Sequence, residues 1–93
     1  MNIPAVLVEN ILGDDRQPAG AIQFDGDFYG LIYVCPCGCG ELRSVPICRG
    51  ATTRANHWWW DGDTERPTLE PSILHLDKCR WHGWLRNGEW VSC

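Results

Sequence analysis

The sequence lacks a long hydrophobic run. Glycine, proline, polar or charged residues interrupt every apolar stretch well before the roughly 20 consecutive residues that cross a bilayer. The first residues also lack a basic region and a small-residue cleavage site, and Glu9 and Asn10 break their apolar character. We therefore expect no membrane anchor, no secretory signal and a cytoplasmic location.

Basic residues are few and scattered. Eight lysines and arginines stand against twelve aspartates and glutamates, which gives a net charge of −4. A protein that binds DNA or RNA normally concentrates positive charge in a patch or stripe, because neutralised phosphates supply much of its affinity. The charge pattern therefore argues against nucleic acid as a partner.

Familiar catalytic motifs are missing as well. The chain has no Gly-x-Ser-x-Gly, phosphate-binding loop, dinucleotide fingerprint or His-Glu-x-x-His. Two acidic pairs, in residues 25–27 and 61–63, each flank a glycine, which is typical of turns rather than of paired catalytic carboxylates. Ser72 and His75 have no visible acidic partner in the sequence. On these grounds we expect a protein that is not an enzyme.

Helical periodicity is absent from every segment of 11 or more residues, whereas turn signals separate several β-branched and aromatic runs. Residues 21–24 and 28–34 flank Asp25 and Gly26, which predicts a hairpin with a two-residue turn. The second of these runs is apolar on both faces and predicts a central strand.

A second hairpin is predicted near the C-terminus, where residues 84–86 and 89–91 flank an Asn-Gly turn. Its register pairs Arg86 with Glu89, Leu85 with Trp90 and Trp84 with Val91. Further short strands are expected at residues 3–9, 42–47, 57–60, 68–69 and 72–76. Because Pro46 cannot donate to a ladder, we expect the strand at 42–47 to lie at a sheet edge.

Ninety-three residues bury only a small core, and domains of this size usually add disulfides or a metal ion. A reducing cytoplasm disfavours disulfides, so the six cysteines point to metal ligation. We therefore predict a single domain over residues 1–93. Its fold class is mostly β, a small antiparallel β-hairpin domain stapled by one zinc ion.

Two clusters carry the predicted zinc site: CPCGCG at residues 35–40 and CRWHG at residues 79–83. Zinc prefers four sulfur or nitrogen ligands in a tetrahedron, and a glycine after a ligating cysteine allows the tight turn that this needs. The candidate ligands are Cys35, Cys37, Cys39, Cys79 and His82. Cys37 and Cys39 are favoured over Cys35, because each precedes a glycine. A set of three cysteines and one histidine without Cys79 is the alternative.

Other interpretations of these thiols and histidines stay open. The Cys-x-Cys pairs also suit a redox dithiol, or the thiols are inert and buried. Cys48 follows an apolar residue and is expected to pack rather than to ligate, and Cys93 is expected to be free. His75, between two leucines, is typical of a partly buried histidine with a satisfied hydrogen bond, and His57 is a further candidate ligand.

The six tryptophans include three in succession, Trp58, Trp59 and Trp60. Side chains alternate along a strand, so at least one of the three indoles reaches the surface unless the strand is covered on both sides. Exposed tryptophans often mark contact surfaces. The run therefore predicts an aromatic surface for a protein or peptide partner, although core packing is the simpler interpretation for most of the six.

The order of CPCGCG, a Trp-rich strand, PTLEPSI at residues 67–73 and CRWHGWLRNGEW at residues 79–90 resembles a small bacterial family. That family is common in phages and prophages. Some members lie beside bacterial ubiquitin-like conjugation genes, and many carry the label ammonia monooxygenase, which these residues do not support. The resemblance covers roughly residues 33–91. It implies metal binding through the Cys-rich loop and the Cys79/His82 pair, and no particular activity.

We therefore expect a binding or adaptor module, held by structural zinc and without enzymatic activity, that recognises a protein or peptide and derives from a phage or prophage. The alternative is a zinc-dependent, hydrolase-like enzyme in which His57 or His75 completes an open metal site.

Overall fold

The computed structural model describes residues 2–13, 17–26, 29–49, 57–76 and 79–92. These residues form nine β-strands and no helix, so none of them belongs to a helix long enough to cross a membrane. The strands are β1 (Asn2–Pro4), β2 (Ile22–Phe24), β3 (Gly30–Val34), β4 (Leu42–Arg49), β5 (Trp58–Trp60), β6 (Leu69–Glu70), β7 (Ile73–Leu74), β8 (His82–Arg86) and β9 (Glu89–Ser92). The prediction of a mostly β fold built from hairpins is confirmed.

The strands form two sheets, with the orders β1-β9-β8-β7 and β2-β3-β4-β5-β6. All strand pairs are antiparallel except β4 with β5. Side chains from both sheets share one hydrophobic core, in which the rings of Tyr33 and Trp90 lie 4.8 Å apart. The buried Trp90 indole donates to the Gly20 carbonyl at 2.9 Å, which ties the C-terminal hairpin to the chain just before β2.

The C-terminal hairpin has the predicted register. β8 and β9 pair Arg86 with Glu89, Leu85 with Trp90 and Trp84 with Val91. Asn87 and Gly88 both have the positive φ that this turn requires, at 49° and 76°.

The first hairpin also forms, but the two-residue turn predicted for it is wrong. Phe24 pairs with Leu31, whereas a turn of Asp25 and Gly26 alone would pair it with Asp27. The wider connection closes on Asp25, whose N–H donates to the Gly30 carbonyl at 3.1 Å and whose Oδ1 accepts from Tyr29 N–H at 2.9 Å. Asp27 itself lies outside the described residues.

The expected edge position of the strand at 42–47 is also wrong, since β4 lies between β3 and β5. Ile47 N–H donates to the Tyr29 carbonyl at 3.0 Å, so the alternation of an antiparallel ladder turns the Pro46 nitrogen away from β3. On its other side β4 pairs with β5 only from Ile47 onward. Pro46 is tolerated in a central strand because its nitrogen faces no ladder partner.

Gly83 in β8 occupies a position with no space for a side chain. A Cβ there would meet the Val91 carbonyl and lie 2.6 Å from the Trp81 ring. We expect Gly83→Ala to lower the free energy of unfolding by at least about 1–3 kcal/mol, the usual cost of overpacking. That change corresponds to a melting temperature lower by several degrees in thermal denaturation.

Gly26→Ala is the matched control, because a Cβ at Gly26 has no atom within 4 Å. We expect its melting temperature to stay close to that of the parent protein. Equal melting temperatures for the two variants would contradict the packing described for β8.

Candidate metal centre and active site

A tight loop, residues 35–41, joins β3 to β4 and carries three cysteines. Cys35 N–H donates to the Glu41 carbonyl at 2.8 Å and closes the base of the loop. Gly38 and Gly40 have φ values of 92° and 82°, in the left-handed region that glycine accepts without steric cost. The glycines that follow Cys37 and Cys39 therefore make the turns that the sequence pattern suggested.

The connection between β7 and β8 adds the fourth thiol. The sulfurs of Cys35, Cys37, Cys39 and Cys79 all lie within 4.8 Å of one another. Cys35 Sγ is 3.3 Å from both Cys37 Sγ and Cys79 Sγ, well beyond the 2.05 Å of a disulfide. We call these four residues the cysteine cluster. A group of four thiols at these distances could hold a metal ion.

Backbone amides support the sulfurs of the cluster. The amides of Cys37, Cys39 and Trp81 hydrogen-bond to the sulfurs of Cys35, Cys37 and Cys79 respectively, each two residues earlier in the chain. Such bonds favour thiolates, the form in which cysteine binds metals.

The four thiols do not share one electrostatic environment. Burial raises the pKa of the Cys35 thiol well above its ordinary value, and desolvation also raises that of Cys37. At Cys79 the hydrogen bond from His75, with Nδ1 3.5 Å from the sulfur, is the main cause that lowers the pKa to about 6. In the metal-free protein, Cys79 is therefore more readily ionised near neutral pH than Cys35 or Cys37.

The structure brings together four of the five predicted ligands and places His82 elsewhere. Cys35, disfavoured in sequence analysis, lies at the centre of the cluster, with no exposed surface. His82 begins β8, and strand alternation turns its ring to the face opposite the buried Trp81. Cys48 is half-buried outside the cluster, and Cys93 lies outside the described residues.

His82 instead meets a serine. Its Nε2 is 3.2 Å from the hydroxyl oxygen of Ser72, and both side chains are half-buried. The register of β7 and β8 pairs Leu74 with His82, which sets Ser72 diagonally across from the histidine on the same face. With Nε2 as the acceptor, the Ser72 hydroxyl donates to an imidazole in the arrangement that activates a serine nucleophile.

Ser72 lies where the chain passes from one sheet to the other, between β6 and β7. Pro71, which precedes it, follows a cis peptide bond. The Trp58 indole N–H donates to the Ser72 carbonyl at 3.3 Å, and the Trp84 ring lies 5.9 Å from the His82 ring. Two tryptophans from different sheets thus flank the Ser72–His82 pair.

This pair could not be predicted from the sequence because neither residue belongs to a recognisable catalytic motif. The two residues are ten positions apart, and only the register of β7 with β8 makes them neighbours. The sequence contains one signal for the pair: side chains alternate along a strand, so His82 must face away from the core if its neighbour Trp81 is buried.

Comparison with known proteins adds independent information. The family described as bacterial ubiquitination-like system serine protease (BubE) matches residues 9–93. The chain belongs to this family. No curated protein and no solved structure matches it.

Membership corrects two expectations. The predicted non-enzymatic adaptor and the predicted absence of enzymatic activity are both wrong, because the family is one of serine proteases. The bacterial ubiquitin-like setting implied by the resemblance is confirmed. The phage origin stays a prediction.

The lowered pKa of Cys79 leads to a prediction for the metal-free protein. Cys37 is the more exposed thiol, so exposure alone would have it react first with iodoacetamide. The thiolate is the nucleophile, and Cys79 ionises above about pH 6 whereas the pKa of Cys37 is raised. We expect mass spectrometry to find Cys79 alkylated faster than Cys37 at pH 7, with an advantage that falls as the pH drops below 6. Faster labelling of Cys37 at pH 7 would contradict this order.

Proposed function

We propose that this protein is a serine protease in which Ser72 is the nucleophile and His82 is the general base. The observation that carries the proposal is the 3.2 Å separation of Ser72 Oγ and His82 Nε2 on a half-exposed face. Membership of a serine protease family supports it.

The other serines fit the role poorly. The sequence has three: Ser44, Ser72 and Ser92. The Ser92 hydroxyl accepts from the Trp81 indole at 3.1 Å, so its role there is to satisfy a buried side chain. Ser44 lies on β4 in the other sheet, opposite Ile32. Ser72, in contrast, lies within hydrogen-bond distance of a histidine ring.

The histidines lead to the same choice. His75 is buried, and its two ring nitrogens face Tyr33 and the cysteine cluster. His57 lies just before β5 and directly follows residues 50–56, which lie outside the described residues. In contrast to His75, His82 has a ring nitrogen within hydrogen-bond distance of a serine hydroxyl.

The chemistry follows from this geometry. His82 Nε2 takes the Ser72 hydroxyl proton while Oγ bonds to the carbonyl carbon of the substrate. When the resulting tetrahedral species collapses, the carbon–nitrogen bond breaks and His82 returns the proton to the leaving amine. A water, deprotonated by the same imidazole, then hydrolyses the acyl-enzyme and restores Ser72. General base catalysis of this kind contributes about 10²–10⁴-fold to the rate.

The proposed substrate is a ubiquitin-like protein in a precursor or conjugate, since the family is described as part of a ubiquitination-like system. An extended substrate tail must approach the outer face of β7 and β8. The predicted contact of a peptide with Trp58 is compatible with this path, because the Trp58 indole reaches the Ser72 carbonyl, whereas strand alternation turns Trp59 to the other face of β5. Trp60 is buried and packs on Phe24 with ring centroids 4.9 Å apart, so we assign it no substrate contact.

The protease proposal is tested by Ser72→Ala. We expect at least a roughly 10³-fold loss of cleavage of a C-terminal fusion of the cognate ubiquitin-like protein, because removing the nucleophile leaves only binding and electrostatic effects. A fluorophosphonate should label the parent protein at Ser72, as mapped by mass spectrometry. Ser44→Ala is the matched control and should keep both activity and labelling. Full activity of a folded Ser72→Ala protein would refute the assignment.

We also propose that the metal in the cysteine cluster is zinc. Four soft thiolates in a tetrahedral arrangement are typical of a closed, structural zinc site. Four protein ligands leave no open position for a metal-bound water, so the proposed zinc stabilises the fold and takes no part in peptide hydrolysis. Thiolate ligands must stay reduced, which is compatible with the predicted cytoplasmic location.

Cys79→Ser tests the zinc proposal. Loss of one ligand should abolish the single bound zinc found by native mass spectrometry. It should also lower the melting temperature by more than about 10 °C, because metal-binding energy is folding energy in a small domain. The control Cys48→Ser should retain zinc and melt like the parent. Iron in place of zinc would overturn the identity of the metal, and an unchanged Cys79→Ser protein would overturn the site.

A further inference from the structure

His75 lies directly against the cysteine cluster, although neither the protease mechanism nor the four proposed metal ligands use it. The side chain is only 4% exposed. Its Nδ1 is 3.5 Å from Cys79 Sγ and 3.7 Å from Cys35 Sγ, and its Nε2 is 2.8 Å from the Tyr33 hydroxyl. Both ring nitrogens therefore have partners, and two of the three partners are proposed metal ligands.

The neighbouring phenol indicates which ring nitrogen of His75 carries the hydrogen. A buried tyrosine hydroxyl usually donates to a hydrogen-bond partner, and His75 Nε2, 2.8 Å from the Tyr33 oxygen, can accept that hydrogen. A neutral imidazole has one donor and one acceptor nitrogen. If Nε2 accepts, then Nδ1 carries the hydrogen and points it at the sulfurs of Cys79 and Cys35.

The fold holds the ring in this orientation from both sides. The backbone N–H of His75 donates to the Trp81 carbonyl at 2.9 Å. This bond fixes the backbone of His75 across the β7–β8 connection. The imidazole stacks on the Tyr33 ring, with centroids 5.9 Å apart and an interplanar angle of 21°, and contacts the Trp81 ring at 5.7 Å.

We propose that His75 is an outer-shell hydrogen-bond donor of the metal site, with Nδ1–H directed at the thiolates of Cys79 and Cys35 and Nε2 accepting from Tyr33. This inference rests on the metal site of the proposed function and goes beyond it. Four thiolates around a divalent cation leave a net charge of −2, and Cys35 has no exposed surface. An N–H directed at the sulfurs offsets part of that buried charge.

The competing role for His75 is that of a direct ligand through Nδ1. Metal binding at Nδ1 would move the ring hydrogen to Nε2, which would then donate to the Tyr33 oxygen and leave the phenol hydrogen without the acceptor it now has. The two roles therefore predict opposite tautomers, and a measurement of the tautomer separates them.

The experiment uses the intact protein loaded with ¹¹³Cd and labelled with ¹⁵N. Long-range ¹H–¹⁵N spectra should show His75 as the Nδ1–H tautomer, with no scalar coupling between the metal and either ring nitrogen. A cadmium–nitrogen coupling would make His75 a ligand and overturn the proposal, as would the Nε2–H tautomer without coupling. Absence of any bound metal would instead refute the site itself, so the two failures are distinguishable.

Zinc affinity gives a second readout. Outer-shell partners typically contribute 10–100-fold to metal affinity, so His75→Ala should raise the zinc dissociation constant by about that factor in competition with a chromophoric chelator. Tyr33→Phe should lower affinity less, while abolishing the preference of His75 for one tautomer. His57→Gln, a change outside the cluster, is the control and should bind zinc like the parent. An unchanged dissociation constant for a folded His75→Ala protein would overturn the proposal.

Discussion

The structure depends on one junction, the meeting of two loops at the cysteine cluster. Residues 35–41 follow β3 of the five-stranded sheet, whereas Cys79 lies in the connection between β7 and β8 of the four-stranded sheet. A metal held by these four sulfurs would cross-link the two sheets directly. Such a link would add stability that a chain of 93 residues does not obtain from its small hydrophobic core.

The same junction lies next to the strand pair that carries the proposed catalytic residues. Cys79 and His82 are three residues apart, and the chain enters β8 between them. Strand alternation then places Trp81 in the core and His82 on the outer face, beside Ser72. The metal site and the proposed active site therefore share one β-hairpin but occupy different faces of it.

Local chemistry explains what the sequence could predict. The Asn87-Gly88 turn determines the register of β8 and β9, because an Asn-Gly pair favours a two-residue turn in which both residues have positive φ values. Cys37-Gly38 and Cys39-Gly40 likewise predict tight turns from their composition. The order of strands in the sheets depends on contacts between distant segments, and the central position of β4 shows this. The Pro46 nitrogen needs no hydrogen-bond partner in β4, because β5 begins to pair with β4 only at the next residue, Ile47.

The incorrect functional prediction has a physical origin of the same kind. The expectation of a protein without enzymatic activity followed from the missing catalytic motifs, which are patterns of residues close together in the chain. Ser72 and His82 need no metal ligand and no sequence motif; they need a two-residue strand, Ile73–Leu74, in register with β8. A metal held by Cys79 and the three cysteines of the loop at residues 35–41 would stabilise that register at one end of the β7–β8 hairpin, so a structural metal and the proposed catalytic pair are compatible.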